Sequence, residues 1–374
     1  PMGDASARRR ELTTADHKRL LDELSELGCL WLLYSGGEIF ARADFLEIYS
    51  YAKSKGFLIT LFTNATLITE RIADFLAANP PFDIEVTLYG RTKATYESLT
   101  GIPGSFEKCL RGIELIRDRG LPLKLKTVAL TINKHEIASM KRFAADLGVE
   151  FKFDPMISPR IDCSSSPLAV RLSPADIVSL DLEDSERVSE WRRLALDCAP
   201  PVPAVAEDKL LYECGGGVNS FAIDPYGDMT ICVLSHVDRY NVRDGSVREG
   251  WEHFLYGIRG KKTSRVTKCT MCALKSLCGS CAANSELETG DAETPVDFLC
   301  QTAHLRAEVF GIDVPAHGDC EYCVDGVHRE VIDNLVDKVR SRDGREVAEV
   351  IAQVPIAEAR GGCGTVACGS CSVR

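Results

Sequence analysis

Several things are scarce or missing in this sequence, and each absence removes a class of protein. No run of eighteen or more apolar residues occurs, so no stretch reads as a membrane-spanning helix. No signal-peptide hydrophobic region is present at the start. Basic residues are outnumbered, 44 Lys and Arg against 55 Asp and Glu, and the net charge of −11 argues against a nucleic-acid backbone as partner. The GxGxxG phosphate fingerprint is absent from the turns that follow the apolar runs, which argues against a Rossmann sheet. Histidines number seven, and His135 reads as part of a helix start rather than as a base. Taken together, the absences predict a cytoplasmic protein with neither a membrane nor a nucleic acid as partner.

Cysteine, by contrast, is abundant: sixteen in 374 residues. In a chain of this kind ligation is expected ahead of disulfide stapling. Cys214 is followed after twelve residues by Gly227 and after four more by Cys232. CTMCALKSLCGSC then runs from Cys269 to Cys281 as CX2CX5CX2C, and Cys300 follows after a gap. Short, regular thiolate spacing is what an iron–sulfur cluster needs, because every ligand must reach a centre only a few ångströms across. A pair of structural zinc sites competes with that reading, and unrelated buried thiols or disulfides are the third. Spacing alone groups Cys269, Cys272, Cys278 and Cys281. Cys29, Cys109, Cys163 and Cys198 are isolated and read as inert buried thiols, with an extra cluster ligand as the alternative for Cys198.

The first half alternates apolar strands with helical patterns. Helices are expected over 14–27, 42–55, 69–78, 105–119 and 134–147. Strands are expected in LWLLYSGGE, FLITLFTNA (57–65), DIEVTLYG (83–90), LKLKTVAL (123–130) and VEFKFDPM (149–156). Such alternation with short connections predicts an α/β fold, a partial (β/α) barrel whose site lies at the C-terminal ends of its strands. The domains expected are a barrel over 1–160, a linker and helical insert over 161–213, a cysteine module over 214–310, and an extension over 311–374 ending in a small-residue, Cys-rich tail.

With these motifs the chain resembles radical S-adenosylmethionine enzymes with a SPASM domain, in the peptide-maturase branch. The resemblance covers roughly residues 11–310. Ser35, Gly36, Gly37 and Glu38 match the GGE motif, which in that family receives the methionyl ammonium of S-adenosylmethionine. Thr63 and Asn64 of the TNA segment, and Thr87, resemble positions that contact the adenosyl part. Lys126, Asp154 and Arg160 are the further cofactor-binding candidates, Arg160 for the cofactor carboxylate. Family patterning implies that Cys214, Cys232 and Cys281 serve one auxiliary [4Fe-4S] cluster, and Cys269, Cys272, Cys278 and Cys300 a second. Two residues, rather than the family's three, separate Cys278 from Cys281. FAIDPYGDMTICVL resembles the family's hairpin, with Gly227 at its turn.

The largest departure from the family is at the start. Its catalytic [4Fe-4S] cluster is held by CX3CX2C, and no cysteine precedes Cys29. Pro1 ahead of Met2 reads as a tag remnant before a start methionine. The first expectation is that the native enzyme carries this third cluster on a segment lost by truncation or a misplaced start. A natural degenerate partner protein is the second. The third is that Cys363, Cys368 and Cys371, spaced CX4CX2C in the tail, take its place. The tail's VACGSC also resembles the cysteine-bearing peptides such maturases modify. Cys320 and Cys323, as CEYC, are expected to be a redox pair or to join the tail thiols on zinc.

The resemblance therefore implies an enzyme modifying a ribosomally made, cysteine-containing precursor peptide, with thioether formation as one outcome and a flavodoxin or ferredoxin as electron donor. No catalytic side chain is singled out. The alternative is a non-catalytic iron–sulfur binding or electron-transfer protein with an inert barrel.

Overall fold

The computed structural model describes residues 5–197, 209–313, 317 and 319–342. Described residues fall into two compact units. The first holds those up to Met156 with Ile223–Met229 and Tyr240–His253; the second holds those of Ile157–Ala222 and Thr230–Arg239, and those from Phe254 onward.

In the first unit a short helix α1 (Ala5–Arg10) leads to α2 (Thr14–Glu26), whose start is fixed by a capping box in which Thr13 and Asp16 satisfy each other's backbone N–H groups. Then β1 (Trp31–Tyr34), α3 (Phe45–Ser54), β2 (Leu58–Thr63), α4 (Glu70–Ala78) and β3 (Asp83–Thr87) alternate. They are followed by α5 (Lys93–Thr100), α6 (Ser105–Asp118), β4 (Leu123–Val128), α7 (Ile137–Leu147) and β5 (Glu150–Asp154). The five strands form one parallel sheet in sequence order, with Trp31 beside Leu58, Thr63 beside Val86, and Lys126 beside both Thr87 and Lys152. This is the partial (β/α) barrel sheet that the alternation predicts. The pattern does not predict α5: only Thr95 and Tyr96 of its eight residues are buried, too few to show a period.

Alternation along the strands sets the faces of the sheet. Ile59, Leu61, Ile84, Val86 and Leu125 are fully buried, each such side chain worth about 1.5–3 kcal/mol of hydrophobic burial. Phe62, Glu85, Lys126 and Lys152 lie on the opposite face. Gly227 turns the hairpin at φ +94, and β7 (Asp228–Thr230) pairs antiparallel with β8 (Tyr240–Asn241) after β6 (Ala222–Ile223). A one-turn helix α10 (Val247–Glu249) closes this unit's run.

The second unit is helical. α8 (Pro174–Leu182) and α9 (Ser185–Asp197) come from the segment between barrel and cysteines; α11 (Tyr256–Arg259), α12 (Lys275–Cys278), α13 (Ala282–Thr289), α14 (Asp297–Phe310) and α15 (Arg329–Arg342) follow. Val178, Val188, Leu277, Leu305, Phe310, Ile332 and Val339 form its core, so α8 and α9 supply packing surface rather than a spacer. No described helix is long and apolar enough to cross a membrane.

Candidate cofactor and metal sites

The turn after β1 exposes Ser35, Gly36 and Gly37, and Gly36 has φ +148. Glu38 is half-buried and turns back. The Thr63 hydroxyl lies 2.8 and 2.9 Å from its two carboxylate oxygens, the Asn64 N–H donates to it at 2.9 Å, and the Phe40 N–H does so at 3.2 Å. Thr63 in turn accepts the N–H of Ala65 at 3.0 Å, while Asn64 Oδ1 accepts the N–H of Thr66. The structure thus joins the SGGE and TNA segments through one carboxylate. Ala65 sits at φ +60, and α6 presses on it: a Cβ added to Gly112 would stand 2.2 Å from the Ala65 carbonyl oxygen. Sequence reasoning missed Gly112, a lone glycine inside a helical pattern, where close packing is the usual cause.

On the opposite sheet face, Lys126 donates to Glu85 at 3.0 Å and Lys152 donates to the other oxygen of Glu85 at 2.6 Å. The Lys126 ammonium also sits over the Phe62 ring. Burial pushes Lys126 down to about 8, against the opposing pull of Glu85. Thr87 lies two residues beyond Glu85 on the same face. Asp154 is exposed at the end of β5 and accepts the N–H of Met156 at 2.8 Å. Sequence reasoning missed Glu85 and Lys152, although charges at alternate positions of otherwise apolar strands were the available signal. Arg160 lies in the second unit, in an exposed turn closed by its N–H donating to the Ser164 carbonyl at 3.0 Å.

The thiols of the second unit fall into two sets. Cys214, Cys232 and Cys281 lie within electrostatic reach of one another. Burial raises Cys232 and Cys281, while backbone N–H groups (Leu234 and Ser235 for one, Ala283 and Asn284 for the other) oppose that rise. Cys281 stands at the N-terminus of α13, where the first backbone N–H groups of that helix lie close to its thiol. Cys269, Cys272, Cys278 and Cys300 make the other set, with Cys278 in electrostatic reach of Cys269 and Cys272, and Cys300 hydrogen-bonded to Cys269. That hydrogen bond is the chief reason Cys269 is drawn down to about 7, helped by Lys275, Lys268 and Lys209 against burial. Burial pushes Cys278 up to about 12. Thiols so placed, with lysines and N–H groups around them, are suited to being held as thiolates by a cluster.

A third group was legible only in half. His304 on α14, His317, Cys320 and Cys323 are all buried, and their ligand atoms lie within 4.8 Å of one another, so these four side chains can hold a metal ion. Cys320 is drawn down to about 5: burial opposes this, but hydrogen bonds with His304 and His317 and from the Tyr322 N–H outweigh it. The sequence pointed to the two cysteines; the histidines escaped notice because twelve residues separate them and one sits within a helix. Cys198, Cys363, Cys368 and Cys371 lie outside the described residues.

Residues 3–144 match the model of the Radical SAM superfamily. The chain therefore carries a radical SAM domain, followed by a C-terminal module of SPASM-like fold. It is 28% identical over 308 residues to the AdoMet-dependent heme synthase of Methanosarcina barkeri, covering 75% of this chain and 85% of that protein. It is 26% identical over 314 residues to the PqqA peptide cyclase of Bradyrhizobium diazoefficiens, covering 80% and 81%. The fold is also similar to Streptococcus suis SuiB bound to precursor peptide SuiA, with a TM-score of 0.59 at 18% identity, covering 78% of this chain and 69% of that one.

Proposed function

We propose that this chain is a radical S-adenosylmethionine enzyme that modifies a ribosomally made, cysteine-containing precursor peptide, with a thioether to cysteine sulfur as the linkage formed. The observation that carries this reading is the segregation of seven cysteines into two thiol sets in a chain that also carries a radical SAM domain. Likeness to a peptide cyclase and to a protein solved with its precursor peptide supports a peptide as substrate.

In this reading Ser35, Gly36, Gly37 and Glu38 receive the methionyl ammonium. The Glu38 carboxylate suits a cation because it is half-buried, anionic and already oriented by Thr63 and Asn64. Thr63, Asn64 and Thr87 serve the adenosyl side. Lys126 and Asp154 present polar ends at the sheet. Bound S-adenosylmethionine supplies an adenosyl radical once it is reduced. The four thiols at Cys269, Cys272, Cys278 and Cys300 fit one [4Fe-4S] cluster, and Cys214, Cys232 and Cys281 fit another with one iron left for a further ligand.

The first unit's own cysteines do not fit the catalytic cluster. Among its described residues they are Cys29, whose thiol donates to the Trp31 carbonyl at 3.3 Å, and Cys109, buried and pushed up to about 12 by that burial. Electron delivery to the sulfonium is therefore not assigned to the described residues of the first unit; the reading takes a third [4Fe-4S] cluster for that step, with flavodoxin or ferredoxin as donor.

The test is anaerobic purification and reconstitution of this chain, with iron, sulfide and the EPR spectrum measured with and without S-adenosylmethionine. About eight irons, from two clusters of four, is the expected content. A colourless protein without sulfide would sink the iron–sulfur reading. Incubation of the reconstituted protein with S-adenosylmethionine, a reductant and cysteine-bearing peptides then reads loss of two hydrogens by mass. A second reading, an AdoMet-dependent step of haem formation, is favoured by the 28% relative; conversion of a haem precursor with no change in any peptide would establish it instead.

A further inference from the structure

We propose that His304, His317, Cys320 and Cys323 form a structural zinc site, separate from the two thiol sets, that fastens the segment following α14 to the helix carrying Cys300. The four ligands are spaced for one ion. Tetrahedral zinc, with Zn–S about 2.3 Å and Zn–N about 2.0–2.1 Å, sets its sulfur and nitrogen ligands about 3.6 Å apart. Here Cys320 Sγ lies 3.5 Å from His304 Nε2, Cys323 Sγ lies 3.8 Å from the same nitrogen, and Cys323 Sγ lies 3.5 Å from His317 Nδ1. An iron–sulfur cube is larger and holds its thiolates further apart. Among the described residues, no other three or more His, Cys, Asp or Glu ligand atoms come within 4.8 Å of one another, the two thiol sets included.

Donor chemistry selects the metal. Two thiolates and two imidazoles in a closed set suit zinc, and the resulting unit is neutral, as a buried position requires. The surroundings support the ligands. His304 Nδ1 lies 2.9 Å from the Cys300 carbonyl, an arrangement in which that nitrogen carries the proton and Nε2 is left to bind metal. Cys320–Gly326 folds into a tight turn: the Cys323 N–H donates to the Cys320 carbonyl at 3.3 Å and the Gly326 N–H to the Cys323 carbonyl at 2.9 Å. Asp325 stands at φ +69, and a Cβ on Gly326 would lie 2.3 Å from the Glu321 carbonyl oxygen, so the turn admits only glycine there.

Position gives the site its role. His304 is one helical turn from Cys300 on α14, and both cysteines of the site pack in the core against which Cys272, Cys278 and Cys300 also lie. Lys268, next to Cys269, reaches Asp297 at 2.7 Å at the start of α14 and Glu321 at 3.1 Å within the CEYC turn. Zinc at this place holds the wall of the second thiol set without taking part in its chemistry.

The test uses the whole chain, expressed with iron and zinc supplied, and reads metal content by mass spectrometry. About one zinc per chain is expected beside the iron. The double variant His317→Ala with Cys320→Ser should lose it and become sensitive to limited proteolysis between residues 311 and 328. A Cys214→Ser with Cys232→Ser control should lose iron and keep its zinc. Zinc-edge X-ray absorption on the unaltered chain, expected to report two sulfurs and two nitrogens, decides the matter even if the double variant fails to fold. Absence of zinc, zinc retained by the double variant, or a shell of other composition overturns the proposal. This readout needs neither S-adenosylmethionine nor peptide, so its failure and that of the functional reading are separate.

Discussion

The carboxylate of Glu38 accepts from the Thr63 hydroxyl, at 2.8 and 2.9 Å from its two oxygens, tying the glycine turn after β1 to the end of β2 across 25 residues of sequence. Replacing the charge while keeping the shape isolates its part in cofactor binding. Glu38→Gln should weaken S-adenosylmethionine binding by about 10- to 100-fold, the equivalent of one charge-assisted hydrogen bond of about 1.5–3 kcal/mol. Calorimetry on the reconstituted protein checks it, and unchanged affinity would remove Glu38 from the cofactor site.

Gly112 faces the Ala65 backbone so closely that a methyl group there must displace the TNA turn. Gly112→Ala should cost about 1–3 kcal/mol of stability despite alanine's better helix propensity. Thermal unfolding reads this. A more stable variant would show that α6 can shift away at little cost.

Asp181 is completely buried between two arginines, accepting from Arg187 at 2.7 Å and from Arg306 at 2.9 Å, while Arg306 also donates to the Leu277 carbonyl at 3.1 Å. Asp181→Asn leaves two guanidinium groups short of a counter-charge in the core beside Cys278. A loss of about 3–5 kcal/mol is expected. Chemical denaturation of the variant alongside the parent measures it, and a loss below 1 kcal/mol would mean that water or another acid takes over the pairing.

His17 is held down to about 4, from its usual 6.5, by burial first and by the neighbouring Arg42 second, with Asp44 and Asp16 opposing. Its unfolded form binds a proton more readily, so between pH 6.5 and 4 the unfolded chain gains protons that the folded one does not. Stability from this group is complete above pH 6.5 and falls as pH drops toward 4, by on the order of 3 kcal/mol. His17→Gln should flatten that part of the pH profile relative to the parent. Identical slopes for the two proteins between pH 4 and 6.5 would contradict the assignment.

Cys278 and Cys281 are separated by only two residues in sequence but belong to different thiol sets. Cys278→Ser and Cys281→Ser should each remove about four irons and leave different EPR signals behind. Loss of the same signal in both would join the two sets into one.

The strands and most helices of the first unit were legible because each buries one side of a regular pattern: Ile59, Leu61 and Thr63 alternate in β2, and the apolar stripe of α6 returns every third or fourth residue. Glu38, Thr63 and Asn64 were legible as motifs, since a glycine turn or a polar strand end stands out locally. Cysteine spacing likewise marked the thiols as candidate ligands without any fold. What sequence order does not contain is which distant groups meet. Spacing put Cys281 with its three near neighbours, yet the left-handed turn at Gly279 and the start of α13 carry it to Cys214 and Cys232. Glu85 gains its two lysines only when β3, β4 and β5 lie side by side, and His304 meets Cys320 only when the chain after α14 folds back. Composition and period are properties of a segment and can be read from it; ligand sets and buried charge pairs are made by long-range packing, and only the tertiary structure decides them.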